Sequence, residues 1–126
     1  MSLEPTGLCS ALATFLAVWG GHVIVRAVEY RTRSLLPPAA ALVVCGLALE
    51  AAALFESAKP LAAAEGIVGM TLLFDALELQ RQFGRVREGR ARANPANPRH
   101  RPYLAGGPAA PCAPPEPEPP RSKVER

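Results

Sequence analysis

Histidine, arginine and carboxylate side chains recur at helical spacing inside two otherwise apolar stretches of this chain. His22, Arg26 and Glu29 close one stretch, and Asp75, Glu78, Gln82 and Arg85 close another. In a low-dielectric setting, residues of these types have two chemistries open to them. They pair with one another and so fix helix packing and depth, or they pass a proton or cation along a relay through His22, Glu29 and Glu78. Pairing is the preferred reading, because an unpaired ionised group near a bilayer centre costs about 2.5–3.5 kcal/mol on insertion scales, and less near the interface. A docking face for a larger membrane complex is a third use of the same groups.

The elements that must position these residues are apolar runs. The chain has 126 residues, 49% apolar and 20% charged, with a mean hydropathy of +0.11, which is room for one small domain and excludes a multidomain enzyme. The first run, Gly7 to Val25, holds no formal charge and approaches the ~20 residues that cross a bilayer core. A cleaved signal peptide is the competing reading, but the leader Met1 to Thr6 carries only Glu4 and no basic segment. The second run, Leu35 to Phe55, contains the single charge Glu50 and opens with Ser34 as the expected N-cap and Pro37-Pro38 in the first turn, where lost amide donors cost little. The third, Pro60 to about Leu79, includes Glu65, Asp75 and Glu78 and is the least apolar.

Charge placement supports three crossings over two. Positions 1–60 are neutral overall and positions 61–126 carry the +3 excess. With the N-terminus outside, three crossings put Arg26, Arg31, Arg33, the Arg81–Arg101 segment and the last three basic residues, Arg121, Lys123 and Arg126, on the cytoplasmic side, 13 of the 14 Lys and Arg residues in all, and leave only Lys59 outside. The expected fold is therefore all-α: an integral membrane domain over residues 1–90, with spans at about 7–26, 35–55 and 60–80. Residues 91–126 hold ten of the fourteen prolines and are expected to form a disordered cytoplasmic Pro/Arg-rich tail of polyproline-II character, with Pro108 to Pro120 recurring every third residue. An SH3-like partner is the sharper reading of that spacing, and a solvated extension the blander one.

At about 100° per residue, Ser10, Ala13, Ala17 and Gly20 share one face of the first helix, with His22, Arg26 and Glu29 roughly opposite. In the third, Ala62, Gly66 and Gly69 form a small-residue stripe opposite Thr71, Asp75, Glu78, Gln82 and Arg85. Small stripes let helices approach closely in lipid, and the two polar stripes fall at one depth, so charge pairing across helices one and three is expected. Glu50 is expected to snorkel or to pair with Lys59, and Trp19, Tyr30, Phe55 and Phe83 to act as interfacial anchors. Cys9, Cys45 and Cys112 are too scattered for a disulfide framework or zinc site.

The stretch from Glu78 to Pro95 reads E-L-x-x-Q-x-x-R-V-x-x-G-x-x-x-x-N-P, and His22 to Tyr30 reads H-V-I-x-x-x-x-E-Y. Over roughly residues 7–99 the sequence resembles a family of small bacterial inner-membrane proteins of unknown function. The resemblance implies three hydrophobic segments and a basic cytoplasmic end, and brings no activity. Phe74 stands where a Trp is usual, and Asp75 where a small polar residue is usual. Read physically, Glu78, Gln82, Arg85 and Gly89 occupy one helical stripe; Glu78 and Arg85 are about 10 Å apart in rise, so Gln82 is expected to lie between them and hold them out of contact. Gly89 is expected to end the helix, and Asn94-Pro95 to begin a turn-rich segment.

No nucleophile–base pair, phosphate-binding loop, metal spacing or haem motif is present, so no catalytic, cofactor-binding or metal residue is expected. The favoured function is a non-enzymatic inner-membrane accessory or assembly component, acting through helix and tail contacts in a larger complex or homo-oligomer. The alternative is a proton or cation relay. The partners expected are the bilayer and its anionic headgroups at Arg81–Arg101, worth about 1 kcal/mol per basic residue. A soluble helical bundle binding nucleic acid through the same arginines is the disfavoured reading, since two short helices cannot cover the uncharged stretch 7–25 on every side.

Overall fold

A computed structural model describes residues 4–104, in the order α1 (Thr6–Arg31), α2 (Leu36–Phe55), α3 (Lys59–Arg87) and the short α4 (Arg101–Leu104). No strand occurs among the described residues. The first three helices are long and apolar enough to cross a membrane, at 26, 20 and 29 residues. At 1.5 Å per residue each reaches the roughly 30 Å of a hydrocarbon core. The three expected spans are thus all helical, and α3 runs on past the expected span to Arg87, carrying the Glu78 motif out of the apolar region.

Helix boundaries follow local chemistry. Pro37 and Pro38 occupy the first turn of α2, as expected, but Leu35 rather than Ser34 is its N-cap, and no side chain caps that end. Pro60 sits likewise in the first turn of α3. At the far end of α3, Gly89 adopts φ 70°, a left-handed conformation open to glycine at little cost, and the Arg90 amide reaches back to the Arg85 carbonyl at 2.8 Å. The helix therefore stops where the sequence predicts.

α3 is the central element, packed against both α1 and α2. Facing residues rise together along α1 and α3, with Gly21 beside Asp75, while α2 runs the opposite way, placing Gly46 against Gly69. At that crossing a Cβ on Gly46 would stand 2.9 Å from the Gly69 carbonyl oxygen, and one on Gly69 3.0 Å from that of Gly46. Two glycines bring the backbones into contact, so the predicted small stripe of α3 does pack a helix. On α1 the packing glycine is Gly21 and not Gly20, which has no neighbour within 4 Å of a built Cβ. The buried line of α1 is Gly21, Val25 and Glu29, at i, i+4 and i+8.

Outside that seam the membrane-length stretches present many exposed apolar side chains. Phe15, Trp19, Leu47, Leu54 and Phe55 are all exposed, which suits helices whose surroundings are lipid.

Candidate functional site

The polar centre of the molecule is built at the end of the bundle where α1 and α3 both finish. Glu29 is 1% exposed, and its Oε1 accepts hydrogen bonds from Arg99 Nη2 at 2.9 Å and His100 Nε2 at 2.8 Å. His100 is fully buried. Its Nδ1 accepts the backbone N–H of Asn94 at 2.9 Å, so Nδ1 carries no proton and the ring is held as the neutral tautomer with Nε2–H donating to Glu29. The buried charge on Glu29 is therefore met by Arg99, and His100 supplies a further donor.

The segment that delivers these donors folds by its own turn chemistry. Asn94-Pro95-Ala96-Asn97 and Asn97-Pro98-Arg99-His100 are tandem turns, closed by Asn97 N to Asn94 O at 3.0 Å and His100 N to Asn97 O at 2.9 Å. Each Asn side-chain oxygen accepts the amide two residues on, from Ala96 at 3.0 Å and Arg99 at 3.1 Å, and each Pro sits where its fixed φ fits the turn. The free amide groups then face α1. Asn94 Nδ2 donates to Tyr30 O at 2.9 Å, Asn97 Nδ2 donates to Tyr30 O at 3.2 Å and Thr32 O at 3.0 Å, and Arg99 Nη2 also donates to Glu29 O at 2.9 Å. The last carbonyls of a helix have no intrahelical donor, and here a segment more than sixty residues away supplies them. Phe83 closes the cluster from α3: it stacks on His100 with centroids 6.3 Å apart, meets Tyr103 edge-on at 5.9 Å, and lies under the Arg99 guanidinium at 4.6 Å. Phe83 is thus part of the packed end, and not a lipid-facing anchor.

A second group lies on α3 alone. Glu78 Oε1 meets Arg85 Nη2 at 2.6 Å and Glu78 Oε2 meets Arg81 Nη1 at 3.5 Å, while Arg85 Nη1 donates to Gln82 Oε1 at 2.9 Å. The expected separation of Glu78 and Arg85 does not hold. The arginine is long enough to reach back across two turns, and Gln82 binds its second nitrogen instead of standing between the charges.

The structure thus divides the residues that the sequence grouped together. Arg26, Glu29, Gln82 and Arg85 do line a common polar cleft of about 410 Å³, so the matched depth is real. Yet no ion pair joins α1 to α3 among the described residues, because Glu29 turns to Arg99 and His100, and Glu78 to its own helix. His22 and Arg26 are exposed. Asp75 is 6% exposed, with Gly21 beside it, and makes neither a hydrogen bond nor an ion pair among the described residues. Glu50 makes no ion pair with Lys59; it lies over Gly69, and its Oε1 is buried without a partner, as is Glu65 Oε2.

Asn97, Arg99 and His100 escape the sequence reading, which assigns residues from 91 onward to the tail; as far as Leu104 they are folded onto α1 and α3. The signal the sequence offers is the doubled Asn-Pro at 94–95 and 97–98, and the expected turn covers only the first of the two. Pro108 to Pro120, and Cys112 with them, lie outside the described residues.

Three membrane-length helices closed at one end by a side-chain cap define a small multi-pass membrane protein. The chain belongs to a domain-of-unknown-function family, DUF4491, whose sequence profile matches residues 4–100. The match takes in the capping turns through His100 and stops short of the proline repeat. No curated protein and no solved structure matches the chain.

Proposed function

We propose that this chain is a non-enzymatic accessory or assembly component of the bacterial inner membrane, with its N-terminus outside and its C-terminus cytoplasmic, acting through helix and tail contacts. The observation that supports this most is that two of the buried acids, Glu29 and Glu78, are taken up in structural pairs. Glu29 is bound to Arg99 and His100, and Glu78 to Arg81 and Arg85, so these side chains fix the bundle end while the helix surfaces offer apolar faces to lipid or partner helices. Within the Arg81–Arg101 segment the headgroup-binding role narrows accordingly to Arg87, Arg92 and Arg101, which are exposed and meet no acid among the described residues.

The test is isolation of the tagged chain from crosslinked membranes in mild nonionic detergent. The reading expects a reproducible, stoichiometric membrane partner, and reporters fused after Lys59 and Arg101 that read periplasm and cytoplasm respectively. Recovery of the chain alone, or a cytoplasmic reading at both fusions, contradicts it. The relay reading draws on the polar cleft holding Glu29 and Gln82. It expects Glu78→Gln and His22→Ala to change proton or cation leakage in proteoliposomes at equal insertion, and unchanged flux in both removes it.

A further inference from the structure

We propose that the groove between α1 and α2 binds a lipophilic organic cation, with the Asp75 carboxylate as its counter-ion. The inference goes beyond the accessory reading and does not depend on it. Both helices pack on α3, and between them they leave a groove of about 490 Å³ with α3 as its floor, within the range of small-molecule sites. Leu16, Ile24, Val28, Leu42 and Leu72 make the walls apolar, and Asp75 is the sole formal charge in the lining. Thr71, the other polar side chain there, already donates its hydroxyl to Ile67 O at 2.7 Å.

Asp75 differs from the other buried acids at this end of the bundle. Glu29 and Glu78 each have a cationic partner, whereas no cation lies within 4.0 Å of Asp75 among the described residues. His22 and Glu78 are the ionisable side chains nearest to it. Glycine at position 21 leaves room for the carboxylate as it stands, since a Cβ there would meet its oxygens. A bare metal ion does not fit this setting: no cluster of three His, Cys, Asp or Glu side chains occurs among the described residues, and Thr71 supplies the one other side-chain oxygen of the lining. A cation that carries its own apolar body satisfies both the walls and the charge. A lipid chain or a second helix satisfies the walls alone.

The experiment is isothermal titration of the full chain in nanodiscs with tetraphenylphosphonium, against empty nanodiscs and against neutral triphenylphosphine oxide. The expected result is saturable one-to-one binding of the cation, weakened by about tenfold or more in Asp75→Asn and abolished by Ala17→Phe, which fills the groove beside an intact carboxylate. Equal binding of the neutral probe by the unaltered chain, equal binding of the cation by Asp75→Asn, or the absence of saturable binding overturns the proposal. Copper-phenanthroline crosslinking of Cys45, which lines the groove, into a covalent dimer overturns it in favour of a second copy covering this face.

Discussion

At one end of the bundle the carboxylates of Glu29 and Glu78 meet arginine nitrogens at 2.9 Å and 2.6 Å, though Arg99 keeps Nε and Nη1 buried without a partner, whereas toward the other end Glu50 and Glu65 each keep a buried oxygen with no hydrogen-bond partner among the described residues. The helices at the two ends are alike, and what differs is the chain available to cover them. Past Arg87 the polypeptide turns back over α1, bringing Asn94, Asn97, Arg99 and His100 as donors. At the other end the short link between α2 and α3 turns its one carboxylate, Glu56, to the Ala58 amide at 2.7 Å and brings no donor to Glu50 Oε1 or Glu65 Oε2 among the described residues. A carboxylate of these helices is therefore a structural bond where a cation reaches it, from its own helix for Glu78 and from the segment past Arg87 for Glu29.

That contrast sets the order of effects. Glu29→Ala strips Arg99 of its buried partner and is expected to cost about 3–5 kcal/mol, read as lost thermal stability of the detergent-solubilised chain. A loss under about 1 kcal/mol would make the two ends equivalent. Gly46→Val, which drives a side chain into Leu73 and the Gly69 carbonyl, is expected to cost about 1–3 kcal/mol by the same assay, and it probes the seam that both ends share. Glu50→Gln removes a charge that has no partner and should leave stability within about 1 kcal/mol of the parent or raise it; a large loss would reveal a hidden partner at the far end. Arg81→Ala breaks a pair whose arginine is 58% exposed and should change stability by less than about 1 kcal/mol, as a surface ion pair does.

The spans were legible because apolar length is a direct signal, and the charge pattern carried the third helix past its weak hydropathy. Within them, Glu29, Glu78, Gln82 and Arg85 stood out as polar residues in apolar runs, and all four are placed at one end. Their partners did not stand out. A helical wheel holds only local spacing, so it placed Gly20 where Gly21 packs, one residue and 100° away, and it could not see Arg85 folding back to Glu78. Arg99 and His100 pair with a residue seventy positions earlier, from within a Pro- and Arg-rich stretch that has no periodicity. Composition there argued for a tail, while the specific order Asn-Pro-x-Asn-Pro encoded the turns.

Residues 94–100 cap α1 through Glu29, and the chain's two histidines report on that cap from inside and outside it. The measurement is nitrogen-15 imidazole NMR of the full chain in nanodiscs. The structure predicts a single neutral Nε2–H tautomer for His100, with a slowly exchanging proton that is lost in Glu29→Ala at unchanged helix content, and ordinary exchange for exposed His22. Two histidines alike in tautomer mixture and exchange would contradict it.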